Sequence, residues 1–313
     1  MTGTAGPSTD PARFYDLHTH TRFSDGSPMA AMVSAAADAG CDGVGLTDHC
    51  VLVDDEFGRR AQYDLVETYA RRRERIDDLR GATDLRVFDA VELSYVPGTD
   101  DEIGSFLGRA GFDYAIGAVH FAGEYGYTSD ASYADADDAR IRAAVDAYYE
   151  ALVALIDSEL FDVVAHLDLP ERRPVFRGVS TPAHYRAVAD ALADSRTVPE
   201  VNAGRVFESL GRVHPDPDLL DEFADRGVEF VLGTDAHTPE QVRRRVPYLR
   251  EFVAERTELA TRSLPPAVDD GTAAENRAAA TAARADDRPT GDRPTDDRPT
   301  GDRPTDDDGE PDT

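Results

Sequence analysis

Seven short apolar, β-leaning runs separated by helical patterns predict an α/β chain folded as a seven-stranded (β/α) barrel. Strands that alternate with helices are parallel and joined by right-handed crossovers, which a doubly wound open sheet would satisfy equally well. The positions of the histidines and carboxylates separate the two. Metal-ligand residue types follow six of the seven runs. An open sheet would spread those strand ends along a line, whereas a closed barrel gathers them at the C-terminal rim.

The elements follow in order. Phe14–Leu17 is the first run, and Ser27 then reads as an N-cap with Pro28 at the first helical position of a helix that stops at Gly40. Gly43–Leu46 is the second run, followed by a helix over Asp64–Leu79; Arg86–Val91 and Tyr114–Val119 are the third and fourth. From Asp137 to Ser158, Ile141, Val145, Tyr148, Leu152 and Leu155 recur at helical spacing. Asp162–Ala165, Val198–Val201 and Glu229–Leu232 complete the strands, with helices over Thr181–Asp194, Pro217–Arg226 and Pro239–Glu255. Residues 13–262 thus form one barrel domain, with a disordered segment 1–12 before it.

From Ser263 the pattern collapses into Pro, Ala, Asp, Thr and Arg, with Asp-Arg-Pro-Thr starting at Asp287, Asp292, Asp297 and Asp302. Residues 263–313 hold 14 acidic and 6 basic residues and no apolar periodicity. Such a segment cannot bury a core and is expected to be a disordered, solvating tail.

The 313-residue chain carries 62 acidic and 33 basic residues, a net charge of −29, and every basic residue is Arg. A surface of that sign disfavours non-specific binding to phosphate backbones and to anionic membranes. Acidity with Arg and no Lys reads as adaptation to a salt-rich cytoplasm, where screening relieves self-repulsion. Neither a secretory signal nor an apolar run of membrane-spanning length occurs, so a cytoplasmic protein is expected. Cys41 and Cys50 lie about 30 Å apart along an extended chain, too far for a disulfide.

The densest cluster of potential ligands is Asp16-Leu17-His18-Thr19-His20, followed by Ser24-Asp25-Gly26. His18 and His20 are two residues apart, so a strand points both to one face, close enough to share an ion. Thr47-Asp48-His49, Val91-Glu92, Val119-His120, Ala165-His166 and Gly233-Thr234-Asp235-Ala236-His237 repeat the pattern. His184, inside a helix, and His214, in a Pro-rich turn, read instead as ordinary structural histidines. The remaining nine groups, His18, His20, Asp25, His49, Glu92, His120, His166, Asp235 and His237, exceed the needs of one four-coordinate ion. Imidazole with carboxylate suits Zn, Mn or Fe, so a site for more than one divalent ion is expected.

These motifs, in this order, resemble the polymerase-and-histidinol-phosphatase (PHP) family of metal-dependent phosphoesterases over roughly residues 14–248. The resemblance implies a distorted seven-stranded (β/α) barrel. It implies two or three divalent ions: one metal on His18, His20, Glu92 and Asp235, a second sharing Glu92 with His120 and His166, and a third on Asp25, His49 and His237. Glu92, Asp235 and His237 are then the catalytic candidates. Within the family, the stretches Val91–Gly98, Asp113–Phe121 and Phe161–Leu169 are most similar to histidinol-phosphate phosphatases.

Clustered divalent ions acidify water and neutralise charge on a phosphoryl group. Arg205 and Arg22 are candidates to grip the phosphate, and Asp48 and Asp168, beside ligand histidines, to fix imidazole tautomers. The expected reaction is hydrolysis of a small phosphorylated metabolite, L-histidinol phosphate foremost, in histidine biosynthesis. The alternatives are a phosphodiesterase or exonuclease acting on nucleotides or short oligonucleotides, and a non-catalytic metal-binding module.

Overall fold

A computed structural model describes residues 13–52, 64–129, 131–263, 265 and 268. The expected disordered segment 1–12, and all of the expected tail but Ser263, Pro265 and Val268, lie outside the described residues.

Seven strands form one parallel sheet in the order β1 (Tyr15–Thr19), β2 (Gly43–Leu46), β4 (Arg86–Ser94), β5 (Tyr114–Ala118), β8 (Val163–Val164), β9 (Val198–Asn202) and β10 (Val231–Gly233). The ends meet across β10 and β1: Thr19 and Ala236 form a parallel bridge, and His20 N donates to Ala236 O at 2.9 Å. The sheet is thereby nearly closed into the seven-stranded barrel that the alternation of runs predicts. Around it stand α1 (Met29–Asp38), α2 (Leu65–Arg80), α3 (Asp100–Ala110), α4 (Asp138–Asp157), α5 (Pro182–Ala193), α6 (Pro217–Arg226) and α7 (Pro239–Glu255). None of the described helices is long and apolar enough to cross a membrane.

Alternation along each strand divides the apolar residues into two sets. Val44, Leu46, Val87, Val91, Ala115 and Val164 pack outward against the helices. Tyr15, Leu17, Phe88, Ala90, Tyr114, Ile116, Val163, Val198 and Val231 fill the barrel. Tyr114 crosses that interior and its hydroxyl donates to Leu17 O at 2.6 Å; a Cβ on Gly45 would lie 1.7 Å from that hydroxyl, so the approach requires glycine. The β1–β2 register shifts between Asp16 and Thr19, and the bulge turns both Leu17 and His18 into the barrel.

Several elements differ from the sequence expectation. Helix α3 was not anticipated: Gly104 and Gly108 weaken its local propensity. It forms because Ile103, Phe106 and Ala110 bury one stripe, with Asp100, Asp101 and Glu102 in the first turn and Gly111 closing it at φ 60°. A short hairpin, β6 (Phe121–Ala122) with β7 (Tyr125–Gly126), was also unforeseen. Ser27 is not the cap of α1. Pro28 takes that position, and Ser27 Oγ donates instead to His237 O at 2.9 Å, tying two rim loops together. Pro265 and Val268, beyond the expected domain boundary at 262, are buried, Val268 in one cluster with the barrel-interior residues.

Candidate metal centre

The C-terminal ends of the strands bring the histidines and carboxylates together around Glu92. After β2 the chain breaks at Thr47-Asp48 and pairs again as β3 (His49–Cys50), which sets His49 opposite Glu92 of β4. Glu92 Oε2 then lies 2.6 Å from His49 Nδ1, 3.5 Å from His18 Nε2 and 3.6 Å from His20 Nε2. Its Oε1 faces the other side, 3.0 Å from His166 Nε2 and 3.8 Å from His120 Nε2. The His18 and His20 Nε2 atoms are 3.1 Å apart, as their spacing on the strand predicts. Asp235 Oδ1 is 3.3 Å from His20 Nε2 and 3.9 Å from His18 Nε2. Asp25 completes the outer side, 3.3 Å from His237 Nε2 and 3.9 Å from His49 Nε2.

All nine candidate ligands therefore share one site. Three overlapping sets have their donor atoms within 4.8 Å of one another: His18 with His20 and Glu92; His49 with Glu92 and His120; and His20 with Asp25, His49 and His237. His166 and Asp235 are the non-glycine residues at this site with left-handed backbone, φ 29° and 50°. Each lies two residues past a strand end, and such a conformation costs about 1–3 kcal/mol, a strain that cluster sites commonly carry.

Burial and mutual charge hold the carboxylates Glu92 and Asp235, and the imidazoles His20 and His120, in the forms a cation requires. Burial alone would raise Glu92, but His49 and His18 hold it well below the usual carboxylate range. Asp235 is likewise held low against burial, by the hydrogen bond to His20 and by His18. Burial, with His237 and His49, pushes His20 down to about 4, and burial also lowers His120. Those two imidazoles are neutral at pH 7. His18 runs the other way: Glu200 and Glu92 overcome burial and raise it. Asp25 and Asp235 similarly raise His237.

The donor set fits divalent metal. Among the described residues, buried Glu92 Oε2 accepts no hydrogen bond, and the buried Nδ1 atoms of His20 and His166 have no hydrogen-bond partner. Imidazole nitrogens that converge on one another and on three carboxylates are a borderline-metal environment.

The cluster opens into a cleft of about 330 Å³, whose wall also carries Arg172, Arg173 and Arg205. Arg172 follows His166 by six residues, on the 3₁₀ turn Leu169–Arg172. Burial, and then Arg205 and Arg173 beside it, push its guanidinium down to about 10. Arg173 donates to Thr128 O, and Arg205 to Glu208. Of the two arginines expected to face the phosphate, Arg205 lines this cleft; Arg22 is exposed on the turn after β1 and does not. Sequence reasoning missed Arg172 and Arg173, although a pair of arginines just after a ligand-bearing strand end was a legible signal.

Asp48 and Asp168 do not orient ligand histidines. Asp48 accepts from Thr21 N at 2.6 Å, Thr21 Oγ1 at 2.8 Å and Ser24 Oγ at 3.0 Å, holding the loop that carries Asp25. Its Oδ2 also accepts from Nε of the fully buried Arg72 at 2.6 Å, and Arg72 continues to Asp89 Oδ1 at 2.5 Å. Asp168 pairs with His214 Nδ1 at 2.5 Å and Arg212 Nη1 at 3.0 Å. His214 is accordingly a buried structural histidine, in keeping with its reading as an ordinary structural residue.

The PHP domain family matches residues 16–202. A curated relative from Deinococcus radiodurans, named as a probable histidinol-phosphatase, is 30% identical over 233 residues, covering 72% of this chain and 87% of its own. A HisK structure from Listeria monocytogenes superposes with a TM-score of 0.66 at 19% identity, over 75% of this chain and 99% of its own. A histidinol phosphate phosphatase from Lactococcus lactis, solved with Zn, L-histidinol and phosphate, gives 0.62 at 18% identity, over 82% and 98%.

Proposed function

The chain belongs to the PHP domain family, and on that premise we propose that it is a divalent-metal-dependent phosphatase hydrolysing L-histidinol phosphate to L-histidinol and phosphate. The observation that carries this reading is one cleft, about 330 Å³, that sets three guanidiniums beside a nine-membered ligand cluster. That volume suits a small metabolite. The resemblance of the curated relative supports the choice of histidinol phosphate among phosphomonoesters.

His18, His20, Glu92 and Asp235, then His120 and His166, then Asp25, His49 and His237 would hold up to three ions. When bound, such ions acidify water and neutralise charge on the phosphoryl oxygens. Glu92 directs its two oxygens to opposite halves of the cluster and would be a ligand to more than one ion. Asp235 and His237 would be ligands on the side that lines the cleft. Arg172 and Arg205 bind and orient the phosphate through charge-assisted hydrogen bonds, fixing phosphorus for in-line attack. Asp25, half-exposed on the wall of the cleft, favours the cationic end of the substrate over a second phosphate.

Phe207, 47% exposed on the loop that carries Arg205 and stacked under Arg244 at 4.3 Å, supports a second reading, a nucleotide phosphodiesterase. A hydrolysis panel of histidinol phosphate, other phosphomonoesters and dinucleotides tests both. Histidinol phosphate is expected to lead every nucleotide by at least about tenfold in kcat/KM, about 1.4 kcal/mol in the transition state. Preferential cleavage of dinucleotides at matched salt and metal overturns the first reading in favour of the second.

A further inference from the structure

Glu200 lies on β9, fully inside the barrel, 1% exposed and outside the lining of the cleft. Both of its oxygens are committed. His18 Nδ1 stands 2.8 Å from Oε1, and Asn202 Nδ2 donates to Oε2 at 3.0 Å. Asn202 is itself oriented, because its Oδ1 accepts from Gly204 N at 2.7 Å, so the carboxylate cannot swing away. A carboxylate oxygen accepts from the imidazole, so in the neutral form that a divalent ion requires, His18 donates its Nδ1 proton and presents the Nε2 lone pair toward His20 and Glu92.

The surrounding backbone is built for this approach. Gly233 of β10 pairs in register with Asn202. A Cβ at Gly233 would lie 1.8 Å from Glu200 Oε1 and 2.6 Å from His18 Cβ, so any side chain there would separate the two. Two other ligand histidines use weaker acceptors. His120 Nδ1 meets Ser94 Oγ at 2.8 Å, and His237 Nδ1 meets Asp235 O at 3.1 Å. His49 Nδ1 faces Glu92, itself a candidate ligand, at 2.6 Å, whereas the carboxylate behind His18 belongs to none of the three donor sets.

We infer that Glu200 is a positioning residue that fixes the tautomer and ring orientation of His18 for the ion shared by His18, His20 and Glu92. The inference rests on the metal-centred reading above. It is selective, because His18 belongs to one of the three donor sets and the other two do not include it. Partners behind a ligand imidazole typically change metal affinity by about 10–100-fold.

The test is titration of the metal-free full chain with Mn²⁺ by calorimetry and chelator competition, with ¹⁵N NMR of the imidazoles. Glu200→Ala is expected to weaken one equivalent about 10–100-fold and leave the others within about twofold. Its His18 Nδ1–H signal should also be lost. Glu200→Gln keeps an acceptor oxygen but not the charge, and should weaken the same equivalent about 3–10-fold; this near-isosteric variant carries the test if the alanine variant does not fold. Unchanged affinity in either folded variant, or an equal loss at every equivalent, overturns the inference. A wild-type chain that takes up no Mn²⁺ overturns the functional reading itself.

Discussion

Asp16 of β1 accepts two hydrogen bonds from Thr234 beside β10, from its N at 2.9 Å and from its Oγ1 at 2.6 Å, across the seam where the barrel closes. This carboxyl is fully buried, and burial, only partly offset by Thr234, raises it to about 6.

A folded value raised from 3.8 means that the unfolded chain releases this proton first. The stabilising share of Asp16 is present below about 3.8 and is lost as pH rises through 6, about 3 kcal/mol in all. Asp16→Asn removes that loss while keeping an acceptor for Thr234. Denaturant unfolding of the metal-free protein at pH 4 and pH 7 should show the variant gaining about 2–3 kcal/mol on wild type. Parallel pH profiles would sink the idea.

Glu92→Ala should lower kcat at least about 100-fold and reduce the metal content, because its two oxygens serve both halves of the cluster. His184→Ala is the control. It removes the capping-box partner of Thr181, which costs about 1 kcal/mol of stability, and should leave turnover intact. Elemental analysis alongside kinetics decides; full activity in metal-free protein refutes the site.

Arg172→Ala and Arg205→Ala should each cost about 10–100-fold in kcat/KM, the worth of a charged hydrogen bond of about 1.5–3 kcal/mol. Three neighbouring cations are relieved by an anion, so inorganic phosphate should raise the wild-type melting temperature more than that of either variant. Equal phosphate stabilisation in all three proteins would count against this cradle.

Truncation after Arg262, the boundary that composition suggests, should cost about 1.5–3 kcal/mol, because Val268 is buried in the same interior cluster as Tyr15, Val198 and Val231. Truncation after Asp270 should cost less than about 0.5 kcal/mol. Equal melting temperatures for the two truncations would show that Val268 contributes nothing.

With a net charge of −29, molar monovalent salt should raise the melting temperature by screening carboxylate repulsion. A melting temperature independent of salt would separate this acidity from salt adaptation.

Most of the fold was legible because its signals are local. Ile141, Val145, Tyr148, Leu152 and Leu155 mark α4 by spacing alone, and they are buried or packed on the core as that spacing requires. Helix α3 was hidden because its two glycines argue against a helix that tertiary burial of Ile103 and Phe106 enforces. The histidines were legible for a similar reason: a ligand type just past an apolar run lies at a strand end whatever the rest of the chain does.

The sequence by itself determined the barrel and the strand-end placement of the nine candidate ligands, since residue type and strand-end placement are properties of short segments. Only the tertiary structure decided what stands behind and beside them. Glu200 reaches His18 across 182 positions of sequence, and Asp48 and Asp168 turn away from the histidines they adjoin in sequence. Arg172 and Arg205 meet over one cleft because closure of the sheet, not proximity along the chain, brings their loops together. Hydrogen bonds and charge act over a few ångströms of space, and the register of β10 on β9 and the seam between β10 and β1 set those ångströms.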